Sequence, residues 1–134
     1  MVDANILIKA MLGVRVRYLM DSYANSVESY TPDAAFDEAQ RNLVPIAAKL
    51  GREPRSIQVA LDSLTVGMRR VTTDDPKIVA EAKARIKRHP VDWPVVAAAL
   101  ELDCPIWTDD QDFFGCGVAT WSTATVELYL NPAT

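Results

Sequence analysis

With 134 residues, 49% of them apolar and 24% charged, the chain can build one domain with its own core and lacks the composition of a disordered tail. A formal charge of -4 excludes strong non-specific attraction to nucleic acid, so any work on RNA or DNA calls for a cation that turns the negative surface to use. No run of about 20 apolar residues could span a membrane, and no basic stretch leads into an apolar one as an export signal would; the cytoplasm is the expected compartment.

The first segment, "VDANILI" from Val2 to Ile8, is β-rich and apolar apart from Asp3 and Asn5. It predicts a buried strand, or a strand running into a helix. In the strand reading Asn5 points to the same side as Asp3, two residues on. Beyond Gly13, apolar residues recur at Val16, Leu19, Met20, Tyr23 and Val27, one face of an amphipathic helix. An extended piece over Ser29 to Thr31 meets Pro32, which suits a helix's first turn. The helix after it buries Phe36, Ala39, Leu43, Ile46, Ala47 and Leu50, and Gly51 is its stop. Pro54 to Leu64 predicts a short helix, and Val66 to Thr72 an extended piece.

"DDPKIVAEAKARIKRH" carries Asp75 as cap, Pro76 at the first helical position and a basic last turn of Lys87, Arg88 and His89. "DWPVVAAALEL" is the next helix, with Asp92 as its cap. Pro105 to Thr108 and Val118 to Trp121 are short strands, the second leading through Ser122 or Thr123 into a last helix ending near Leu130. Cys104 and Cys116 fall in different elements, twelve positions apart, which fits two reduced structural thiols better than a metal knuckle or redox pair. Strands alternating with helices predict an α/β fold, one domain over residues 1–134, with a mainly parallel sheet covered on both faces.

In such sheets, ligands bind at the carboxyl ends of the strands. Asp3, Asp92, Asp110 and Asp112 all fall at positions of that kind, and Glu38, one turn into its helix, could reach the same rim. Several carboxylates brought close repel one another and are costly to bury unpaired. Lys9 is the cation nearest Asp3 in sequence, and few others lie near these motifs. Hard oxygen donors suit Mg2+ or Mn2+ rather than zinc. Taken singly, Asp92 reads as a plain helix cap and "TDDQDF" as a solvated turn; Asp3 in an apolar strand is the hardest to explain without a cation.

In this order, "VDANILI", "TPDAAFDEA", "DWPVVAAAL" and "CPIWTDDQDF" with its following "GV" strand resemble the PIN-domain ribonucleases, including the VapC-type toxins of toxin–antitoxin pairs. The resemblance runs from Val2 to about Leu130, and residues 52–75 match no motif. It implies a three-layer α/β/α sandwich around a twisted, mainly parallel sheet. It further implies metal ligands at Asp3, Glu38, Asp92 and Asp110, with Asp112 beside them, and Asn5 and Thr108 supporting the centre by hydrogen bonds. Asp37 and Glu38 are adjacent and both flank the buried stripe; Glu38 matches the family better. Asp109 is expected to face solvent.

The implied activity is Mg2+- or Mn2+-assisted endonucleolytic hydrolysis of RNA. An antitoxin protein or a second copy of the chain is the implied partner, and the helix Val14 to Val27 could supply that surface. "RVR" (Arg15, Arg17) and "KARIKRH" (Lys83, Arg85, Lys87, Arg88) could follow a phosphate backbone, or be solvated faces. His89 is discounted as a catalyst, and Trp93, Trp107 and Trp121 as core. Two other readings stay open: a catalytically silent PIN-like module that binds RNA or protein, and an aspartyl phosphatase using Asp3. Asn5 stands where such a phosphatase usually has a second acid, which weakens the latter.

Overall fold

The computed structural model describes residues 1–131; residues 132–134, included in the one-domain expectation, lie outside the described residues. The fold is α/β, and every strand pairing in it is parallel. The opening segment departs from a full strand. Only Val2 pairs in strand fashion, bridging Trp107, and the helix α1 (Ala4–Leu12) begins two residues later. The cause is local: the Asp3 carboxylate accepts the Ile6 N–H at 2.9 Å, so Asp3 caps the helix. Ala4, Ile6, Leu7 and Ala10 then form its buried stripe. An N-cap and a helical stripe together outweigh the β propensity of "ILI".

Helix α2 (Arg15–Ser22) follows, burying Val16 and Leu19. Strand β1 (Ser29–Pro32) pairs with β2 (Met68–Val71), and β3 (Ile106–Trp107) pairs with β4 (Thr120–Trp121). Met1 and Val2 lie between the two pairs. Val2 donates its N–H to Tyr30 at 2.8 Å, and Trp107 donates its own to Met1 at 2.7 Å. The buried Thr31 hydroxyl adds a bond to the Val2 carbonyl at 3.0 Å. The spatial order is therefore β2, β1, Met1–Val2, β3, β4, with the first segment of the chain at the centre.

Helix α3 (Asp33–Lys49) buries Ala35, Phe36, Ala39, Leu43 and Ala47. Pro32 stays in the strand as the residue before that helix, and Leu50, expected in the core, is exposed. Helix α4 (Pro54–Thr65) places Ile57, Leu61 and Leu64 on one face. Helix α5 (Pro76–Arg85) starts as its sequence requires, with Asp75 accepting the Lys77 N–H at 2.9 Å. It ends at Arg85, so Lys87, Arg88 and His89 belong to the connection and not to its last turn.

A single 3-10 turn, Pro90–Asp92, leads into α6 (Trp93–Leu102). Val95 through Ala99 are all buried, because α6 packs against α5 on one side and β1 and β3 on the other. Alanines are what allow both approaches at once. Helix α7 (Val126–Leu130) closes the described fold, and the buried apolar residues make one continuous core. Cys104 and Cys116 are both free thiols. Among the described residues no helix is long and apolar enough to cross a membrane.

Candidate functional site

Because Val2 lies at the sheet's centre, Asp3 emerges at the carboxyl end of the central segment, facing the end of β3. It is buried, with 4% of its surface exposed, and both its oxygens are engaged. Oδ1 accepts the Ile6 N–H, and Oδ2 accepts a short hydrogen bond from the hydroxyl of Thr108, itself fully buried. The same hydroxyl oxygen accepts the Asp110 N–H at 3.0 Å. Asp110 in turn accepts the Asp112 N–H at 2.9 Å, capping a 3-10 turn over Gln111–Phe113. One threonine thus ties Asp3 to the turn that carries Asp110 and Asp112.

Asp92 is in a different situation. It stands at the N-terminus of α6 yet makes no side-chain cap bond, and no lysine or arginine pairs with it among the described residues. Burial, then the charges of Asp110 and Glu38, push its carboxyl up to about 6, against partial relief from His89. Asp3 is also pushed up to about 6, chiefly by burial; its bonds from Thr108 and Ile6 only partly offset that, and Asp110 and Asp92 add repulsion. The charges of Asp110 and Asp92 thus act on Asp3, and those of Asp110, Glu38 and Asp112 on Asp92.

Of the adjacent acids on α3, Asp37 is exposed and turned toward Arg70, 3.9 Å away, while Glu38 is half-buried and adds to the charge at Asp92. Among the described residues no group of three or more His, Cys, Asp or Glu side chains is disposed to hold a metal ion. The fit to a dication rests on donor chemistry: carboxylates, two of them resisting ionisation through burial and then the charge of their neighbours, with no Lys or Arg on Asp92, Asp110 or Glu38 among the described residues.

Three placements differ from the sequence reading. Asn5 does not share a face with Asp3. In a helix that begins at Ala4 it points outward, is exposed, and makes no side-chain hydrogen bond to the acidic centre among the described residues. Asp109 does not face open solvent. It accepts the Thr123 N–H and hydroxyl, both at 2.6 Å, and pairs with Lys9 at 2.8 Å. Burial raises its carboxyl, but Lys9 and Thr123 outweigh that and hold it below the usual value. Lys9 is thereby taken up by Asp109 and leaves Asp3 without a cation. His89, discounted from sequence, sits with Nε2 2.9 Å from Asp112 Oδ2. Nothing in local sequence signals that contact, since His89 lies in an irregular connection.

Thr108→Val keeps the shape but leaves the buried Asp3 oxygen without its donor and the Asp110 N–H without its acceptor. The expected loss is about 2 kcal/mol, read as a lower urea midpoint at unchanged slope. Thr108→Ser, which restores the hydroxyl, should recover most of it; equal stability of Thr108→Val and the parent would show that the tie is slack.

The family model for the PIN domain matches residues 1–131. Curated proteins and solved structures gave no match.

Proposed function

Because the chain belongs to the PIN-domain family, we propose that it is a Mg2+- or Mn2+-dependent endoribonuclease whose carboxylate cleft holds the metal. The observation that carries the reading is Asp92: a half-buried carboxylate that neither caps its helix nor meets a lysine or arginine, set where three other acids oppose its ionisation. Carboxylates perturbed in this way cluster at functional sites. Asp3, Glu38, Asp92 and Asp110 would hold the ion. Asp112, oriented by His89, would stand beside them. When bound, the dication supplies a water of lowered pKa and offsets charge developing on the scissile phosphate.

The protein's own part is placement. The Ile6 N–H and the Thr108 hydroxyl fix the Asp3 carboxylate, and Thr108 fixes Asp110 relative to it.

Incubating the purified protein with single-stranded RNA should give internal cleavage with Mn2+ or Mg2+ and none with a chelator. Cutting that persists in chelator would discard the metal reading. Binding without cutting at any metal concentration would leave the silent module. An adjacent reading frame whose short product blocks the cutting would identify the chain as the toxin of a pair.

A further inference from the structure

Beside the acidic cleft runs an open groove of about 380 Å³, walled by the end of α5 and by the Gln111–Gly115 turn; Arg85, Lys87, Arg88, Asp112 and Phe114 line it. Its volume lies within the usual range for ligand sites, about 300–1,000 Å³. Asp112 lines this groove and its charge also acts on Asp92, which sets the groove beside the acids. The groove's chemistry is opposite to that of the molecule as a whole. Lys87 and Arg88 are exposed and pair with no acid among the described residues. Asp112, the one acid on the wall, is met by His89.

The turn is built to present an aromatic ring. Phe113 is 1% exposed and anchors the turn in the core, whereas its neighbour Phe114 is 58% exposed. The segment after Phe114 is held by Arg85, whose guanidinium donates to the carbonyls of Cys116 and Gly117 at 3.3 Å each, and whose Nε also meets Glu81 at 2.8 Å. Gly117 has φ +81°, and a Cβ there would come within 2.7 Å of the Arg85 guanidinium, so glycine is what admits the clamp. Arg85 is thus spent on structure, leaving Lys87, Arg88 and Phe114 facing the open groove.

From this juxtaposition we propose that the groove is the path of a single-stranded RNA segment next to the scissile bond: Phe114 stacks on an unpaired base, and Lys87 and Arg88 hold the flanking phosphates. The proposal rests on the nuclease reading and deepens it. A free aromatic face with two unpaired cations fits an unstacked strand, whose bases are open to stacking. In a duplex the bases are already covered.

The test measures binding of a fluorescent 10-nucleotide RNA in chelator, where no cutting occurs, and cleavage kinetics with Mn2+ separately. Phe114→Leu, which keeps an apolar side chain but loses the π face, should weaken binding about tenfold and raise KM; Phe114→Tyr should retain parental affinity. Lys87→Ala with Arg88→Ala should weaken binding and flatten the plot of log affinity against log salt by about 1.4, two released phosphate contacts. Parental affinity in Phe114→Leu, or equal binding of duplex RNA, would overturn the proposal even if the protein cuts RNA. Binding that shows these losses in a protein that never cuts would sustain the groove and remove the nuclease reading.

Discussion

Asp92→Asn should abolish most of the metal-dependent cleavage, by at least about 100-fold, without lowering stability. Changing groups that merely orient metal ligands already costs about 10- to 100-fold, and Asp92 is proposed as a ligand itself. Stability should be spared because the carboxylate makes no cap bond and meets no lysine or arginine. Its replacement by a neutral isostere removes repulsion from Asp110 and Glu38. Asp110→Asn should lose as much activity, and its side-chain oxygen can still accept the Asp112 N–H. Glu38→Gln should fall with this group, whereas Asp37→Asn, on the Arg70 side of the helix, should cut like the parent. Parental rates in Asp92→Asn would remove the carboxylate cleft as the reaction site.

The metal-free protein should lose stability as pH rises from 4 to 7, and a dication should restore it. The sign follows from Asp3, whose folded value of about 6 lies above its unfolded value of 3.8. The folded state then holds the proton more tightly, so this contribution is complete below the unfolded value and disappears as pH climbs through about 6. The full difference is roughly 3 kcal/mol, of which roughly 1 kcal/mol falls between pH 5 and 7. Acids held below their usual values, such as Asp109, act in the opposite direction at lower pH, so the comparison is the parent against Asp3→Asn across one pH series. The parent should lose ground to Asp3→Asn as pH rises. Millimolar Mn2+ at pH 7.5 should raise the parent's Tm by several degrees, as binding to the folded state alone requires, and should do little at pH 5. Parallel curves for the two proteins would show that the buried carboxylate carries no such strain, and a Tm indifferent to Mn2+ that the folded protein holds no ion.

The elements whose beginnings are written in short range were legible. Asp75 and Pro76 start α5 as their sequence implies, and "PVVAAAL" makes a helix covered on every side. The charges of Asp92 and Asp110 do act on Asp3, as acids placed at strand ends and a helix start would. The departures came where a distant partner decides. "VDANILI" has the pattern of a strand, but Asp3 caps a helix and only Val2 remains in the sheet, which put Asn5 on the wrong face. Asp109 looked solvated because its partners, Lys9 and Thr123, lie 100 and 14 residues away. The contact of His89 with Asp112 and the clamp of Arg85 on Gly117 join segments more than 20 residues apart, and neither leaves a periodic mark on the sequence.

The hydrogen bond from Thr108 to Asp3 spans 105 positions of the chain. The Asp3 carboxylate can meet the Ile6 N–H as soon as its own helix forms, but it gains its second partner only from a segment far along the chain. Closing the sheet and completing this contact are therefore one event, and its loop-closure cost is met only when distant segments dock.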